Sequence, residues 1–133
     1  METLEQFLES WEDCAAKEAF GILREALAAV PGVVLSTKLR PGVSISLRGG
    51  HPRQEGRELF VMVDIIDDDP ENRWLSVCFY DDLVSDPEER GDFVPKGLLG
   101  EDARCFDLDE ADEDAVGYVA QRIREAGARA GRS

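Results

Sequence analysis

Residues 59–66 and 74–80 are two runs rich in Val, Ile, Leu and aromatic side chains. They flank a polar turn, Asp67-Asp68-Asp69-Pro70-Glu71-Asn72-Arg73. Apolar β-forming runs around a turn containing Pro and Asn predict a β-hairpin. Side chains alternate across a strand, so parity divides the hairpin into two faces. Leu59, Val61, Val63 and Ile65, with Leu75, Val77 and Phe79, are uniformly apolar and call for a layer of helices over them. Phe60, Met62, Asp64 and Ile66, with Trp74, Ser76, Cys78 and Tyr80, are mixed. Any fold for this chain must bury the first set and find a use for the second.

The flanking sequence supplies the helices. Thr3 followed by Gln6 is a capping-box signature, and Leu4, Phe7, Leu8 and Trp11 repeat at helical spacing. Ala16, Phe20, Leu23, Leu27 and Val30 predict a second helix, capped by Ser10 or Asp13 and stopped by Pro31-Gly32. The two are either continuous or kinked near Trp11. Residues 33–39 and 43–48 read as strands joined by Pro41-Gly42, a type II turn pair. Their Val33, Leu35, Val43, Ile45 and Leu47 extend the apolar face. Ser36, Lys38, Arg40, Ser44, Ser46 and Arg48 extend the mixed one. Residues 49–57 form a polar loop before the hairpin. After it, residues 81–102 read as a long polar connection with a helical turn opening at Asp86-Pro87 and a turn near Gly97-Gly100. Residues 103–108 suit an edge strand. A final helix runs from about Glu110 to Ala128, acidic at its start and basic at its end, as the helix dipole favours.

The predicted order is α-α-β(5)-α in one domain over residues 1–133, with about 129–133 a flexible tail. Consecutive strands without crossover helices imply α+β, a largely antiparallel five-stranded sheet with helices packed on one face.

Charge narrows the partners. The 133 residues carry a formal net charge of −14. Nucleic acid and anionic membrane surfaces are disfavoured, because each phosphate contact needs a cation. Residues 64–114 hold nineteen acids against four bases, whereas residues 33–57 hold five bases and one acid. Surfaces of opposite sign on one small protein can steer a partner or another copy. The N-terminus lacks a basic region and a long apolar run, so neither a signal peptide nor a spanning helix is expected. The three cysteines, Cys14, Cys78 and Cys105, make no metal-binding spacing. Reduced thiols and a cytoplasmic location are expected.

Catalytic motifs are missing. There is no G-x-G-x-x-G, phosphate loop, nucleophile elbow or H-E-x-x-H. His51 is the lone histidine, in a loop beside Pro52, and reads as solvated. Cys78 reads as a packed thiol. No catalytic residue and no cofactor is assigned. Asp67, Asp68, Asp69 and Glu71 gather carboxylates in one turn and are the candidate cation ligands, although the alternating EF-hand pattern is missing. On the mixed face, Trp74 and Tyr80 would anchor a ligand or partner, with Met62 and Cys78 beside them and Arg48 and Asp64 as polar contacts.

The element order, with residues 60–66, 74–80 and the helix over 109–126 after a short strand, resembles the YdhG-like group of small bacterial proteins. The resemblance implies a fold similar to frataxin and, for some members, iron handling. In frataxin the acids lie on the first helix and first strand, whereas here residues 33–57 are basic and the acids come later, so no site residues are carried over. The leading expectation is a non-enzymatic binding or interaction module, self-associating or taking another protein on its mixed face. Two alternatives follow: a carrier of iron or another cation on the acidic turn, or an enzyme with a pocket between the mixed face and residues 81–102, using Asp64, Cys78 and Arg48.

Overall fold

The computed structural model describes residues 3–132. Helices α1 (Leu4–Ser10) and α2 (Ala15–Ala28) precede strands β1 (Val34–Arg40), β2 (Ser44–Gly50), β3 (Val61–Ile66) and β4 (Trp74–Tyr80). A 3-10 turn at Asp81–Leu83 leads to β5 (Asp92–Leu98), β6 (Glu101–Leu108) and α3 (Glu113–Ala130). The strands form one sheet in the order β1-β2-β3-β4-β6-β5, and every neighbouring pair is antiparallel. The α+β class is as expected, but the sheet has six strands rather than five.

The additional strand is β5, inside the connection that reads as polar loop. Only Phe93, Val94 and Leu98 are apolar in it, and Pro95 and Gly97 break any alternation. It exists because a tight turn delivers it to β6. Leu99 and Gly100 both have positive φ, 48° and 85°, between the paired Leu98 and Glu101. That is the backbone of a two-residue hairpin turn. The pairing slips between Val94 and Leu98, where Lys96 also takes positive φ, 55°.

The capping box at α1 forms as the spacing predicts: Gln6 N–H donates to Thr3 Oγ1 (3.2 Å), and Thr3 N–H to Gln6 Oε1 (2.8 Å). α1 and α2 are separate helices. Neither Ser10 nor Asp13 caps α2; its N-cap is Cys14, without a side-chain bond. Ser10 instead donates to the Phe7 carbonyl (2.8 Å), and Asp13 pairs with Lys17 (3.2 Å). α3 runs two residues past the expected end. Ala130 is fully buried, and Arg129 pairs with Glu125 at 3.3 Å, so 129 and 130 are not a tail. Ser133, at the end of that expected tail, and Met1-Glu2 lie outside the described residues.

The core fills the space between α2, α3 and one face of β2, β3, β4 and β6. Ile45, Val61, Val63, Ile65, Leu75, Val77 and Phe79 are fully buried against Leu23, Leu27 and Ile123. α2 comes so close to β2 that a Cβ on Gly49 would meet Leu27 at 2.6 Å. Parity fails at Phe60, which was placed on the mixed face. Its N–H donates at 2.7 Å to the carbonyl of Gly49, the residue already paired with Val61. Two residues against one is a bulge, and it turns the Phe60 ring inward beside Leu27. Leu35 and Val43 are also misplaced as core, being 42% and 52% exposed. Both lie at β1 or its turn, beyond the reach of the helix layer.

Residues 81–91 do not cover the sheet's other face. Ser85 donates through N–H and Oγ to Glu125 of α3 (2.9 and 2.8 Å), and Tyr118 of α3 hydrogen-bonds Asp86. Asp86 also accepts from the N–H groups of Arg90 (3.0 Å) and Gly91 (2.9 Å). It therefore caps a turn rather than a helix. Arg90 and Arg122 each lie over the Tyr118 ring, at 5.0 and 4.7 Å from its centroid. The connection is thus fastened to the helix side.

Candidate functional site

Buried residues alternate with half-buried ones along β3 and β4, so the mixed face is less covered than the core face. Strand register arranges it in rows across the sheet. One row runs Ser36, Arg48, Met62, Cys78, Cys105, Asp92; the next runs Lys38, Ser46, Asp64, Ser76, Asp107. A third joins Arg40, Ser44, Ile66 and Trp74. Bases occupy the β1 end and acids the β5 end, with Asp64 between them. The face is therefore graded in charge across its width, with Met62, Ile66 and Trp74 half-buried along its middle.

Arg40 donates to Ser44 Oγ (3.2 Å) and Arg48 to Ser46 Oγ (3.1 Å). Asp64 is mostly shielded, and its Oδ1 is buried with no hydrogen-bond partner among the described residues. Burial raises its carboxyl above the ordinary value, against the opposing pull of the Ser46 hydroxyl and the Arg48 and Arg40 charges. Asp107, on the same row, is likewise pushed up, by burial first and by the charge of Asp92 second.

Two expected site residues and the reading of His51 need correction. Cys78 is not a free packed thiol: it forms a disulfide with Cys105. The two sit directly opposite in the β4–β6 register, Cα atoms 4.2 Å apart. This is the close spacing of a non-hydrogen-bonded antiparallel pair, where facing side chains meet. The expectation of three reduced thiols is thus overturned for two of them; Cys14 is free and exposed. Tyr80 is only 2% exposed and cannot anchor a partner. The Arg57 guanidinium stacks 4.0 Å above its ring, held by Asp82 (2.9 and 3.0 Å) and Glu101 (2.8 and 3.2 Å). Finally, His51 is a strut rather than a solvated side chain. Arg53 N–H donates to its Nδ1 (3.2 Å), which leaves Nε2 to donate to the Pro31 carbonyl (3.1 Å).

The acidic turn is occupied by its own fold. Asp67 is buried and accepts from Arg73 Nε (2.7 Å) and Gly42 N–H (2.9 Å). Asp69 accepts from Glu71 N–H (3.1 Å) and Asn72 Nδ2 (2.8 Å). The four carboxylates do not converge, and no group of three or more His, Cys, Asp or Glu gathers for a metal among the described residues. Arg73 also lies over the rings of Phe7 (4.7 Å) and Trp11 (5.7 Å), so this turn docks α1. Beside it, Trp74 lines a shallow cleft of about 570 Å³ with Trp11, Cys14, Arg73, Asp109 and Ala111. This cleft lies at the end of the sheet. The wall expected from residues 81–102 over the mixed face is not built.

Arg48, Met62, Asp64 and Trp74 are brought together on one face as parity predicts. Sequence reasoning missed Cys105 as part of it. The signal was available: Cys105 occupies the predicted strand 103–108, and only the β4–β6 pairing was needed to place it across from Cys78. No helix of the described residues is long and apolar enough to cross a membrane. No protein family, curated protein or solved structure matches the chain.

Proposed function

We propose that this protein is a non-enzymatic interaction module that engages a protein through the open face of its sheet. One observation carries the reading: on the sheet face opposite the core, half-buried Met62, Ile66 and Trp74 stand among Asp and Arg side chains, with Ser44 and Ser46 buried beneath the arginines that bond them. Aromatic and Met side chains ringed by polar groups are the composition of a protein-binding surface rather than a solvated one. The proposed setting is the cytoplasm, where Cys78–Cys105 would exchange with the thiol pool.

The test is site-directed photo-cross-linking. A benzophenone side chain at Met62 or Trp74 is expected to give a discrete protein adduct in an extract of the source cells, or a dimer with purified protein. The same group at Gln121, on the exposed side of α3, is expected to give none. Equal labelling from both sides, or none from either, removes the proposal.

A further inference from the structure

The two edges of the sheet are not alike. β5 carries the devices that keep an edge from pairing: Pro95, which has no N–H to offer, a slipped register between Val94 and Leu98, and Lys96 in a left-handed backbone. β1 carries no proline, no bulge and no break over seven residues, and it pairs with β2 at every position. About half of its backbone N–H and C=O groups point away from β2, toward no other strand. Its side chains are exposed as well, all but Leu39.

The chemistry of those side chains selects what can pair there. On the open face β1 presents Ser36, Lys38 and Arg40, with Arg48 behind them on β2, and no acid. Lys38 makes no ion pair among the described residues, and Arg40 bonds only a serine. On the helix side β1 presents Leu35, Thr37 and Leu39, of which Leu35 is 42% exposed. A second copy pairing through β1 would put four cations, two from each chain, on one face of a two-strand ladder with no acid among them. Like charges on facing strands reject that arrangement, and they select an acidic strand by the same interaction.

We propose that the free edge of β1 accepts an extended segment of a protein partner as a seventh strand, with acidic side chains over Lys38 and Arg40 and alternate apolar side chains over Leu35 and Leu39. Backbone bonds supply the affinity and the alternation supplies the choice of partner. The inference rests on the interaction-module reading but assigns it to the edge, where the open face alone would not require an extended ligand.

The experiment uses the whole chain, labelled with nitrogen-15, and a capped peptide of about eight alternating Glu and Val residues. Addition of this peptide is expected to shift the amide resonances of residues 34–40. The paired change Lys38→Glu and Arg40→Glu is expected to weaken binding by about tenfold or more, and added salt to weaken it in the wild type. A Lys-Val peptide of the same length is the control and is expected to leave β1 unmoved. Absence of any shift, equal binding of both peptides, or binding indifferent to the charge reversal overturns the proposal. Shifts at Met62, Asp64 and Trp74 without shifts in β1 overturn it while leaving the open-face reading standing. Light scattering that shows a dimer with β1 amides protected also overturns it, since a second copy then owns the edge.

Discussion

The two faces of this sheet are made by the same strands, one residue out of phase, and they obey different rules. On the helix-covered face, Val61, Val63, Ile65, Leu75, Val77 and Phe79 are fully buried, so each contact is with protein. On the other face, Met62, Asp64, Trp74, Ser76 and Cys78 are only half-buried. Their company includes a carboxylate oxygen without a hydrogen-bond partner among the described residues, a disulfide and a charge gradient. The first face answers to packing density; the second carries polar and charged groups that packing alone does not require. Neighbouring residues in one strand can therefore differ completely in what they permit.

The sharpest way to break this contrast is one substitution made at adjacent positions. Val63→Asp would bury a carboxylate in the core and is expected to cost more than about 4 kcal/mol, enough to prevent folding. Met62→Asp, next to Arg48, is expected to cost about 1 kcal/mol or less. Urea denaturation of both reads the difference, and comparable losses would mean that the open face is covered as well. The next largest effect concerns the disulfide. By the loop-entropy relation, a cross-link closing 27 residues contributes roughly 3–4 kcal/mol. A reducing agent is expected to lower the denaturation midpoint of the wild type and to leave that of Cys105→Ser unchanged. If reduction changes neither, the cysteines are not joined in solution.

The smallest effect sharpens the view of Asp64. Its raised carboxyl means that the folded state holds the proton more tightly than the unfolded chain, whose ordinary value is 3.8. Stability from this group therefore falls as pH rises through the window between 3.8 and the raised folded value, and stays lower above it. Asp64→Asn is expected to raise the melting temperature modestly at neutral pH, with the advantage vanishing as pH approaches 3.8. A destabilised variant at neutral pH would show that the Arg48 and Arg40 charges outweigh burial.

Much of the architecture was legible in periodicity. The hairpin, the capping box at Thr3, the Pro41-Gly42 turn and the acid-to-base polarity of the last helix each follow from residue types at fixed spacing. The open face was legible too, since parity alone places Met62, Asp64 and Trp74 on one side. What parity could not supply is anything that depends on irregular backbone or on strand neighbours. β5 depends on a turn with Leu99 in a conformation that Leu rarely takes, and its own composition argues against a strand. Phe60 turns inward through a bulge. Tyr80 loses its exposure to Arg57, a residue 23 positions earlier that reads as part of a polar loop. Leu35 and Val43 look like core until the width of the sheet exceeds that of the helix layer above it.

The Cys78–Cys105 bond has a consequence for connectivity. It turns the chain into a ring with two tails. The ring holds the 3-10 turn, β5 and the β5–β6 hairpin; the tails are everything before β4 and the helix after β6. One cut by a protease within residues 79–104 would open the ring but separate nothing, and the two fragments would travel as one molecule until a thiol released them. The guarded edge of the sheet lies wholly within the ring and the unguarded edge on a tail, so the end that offers backbone to a partner is also the end with no covalent tie across the sheet.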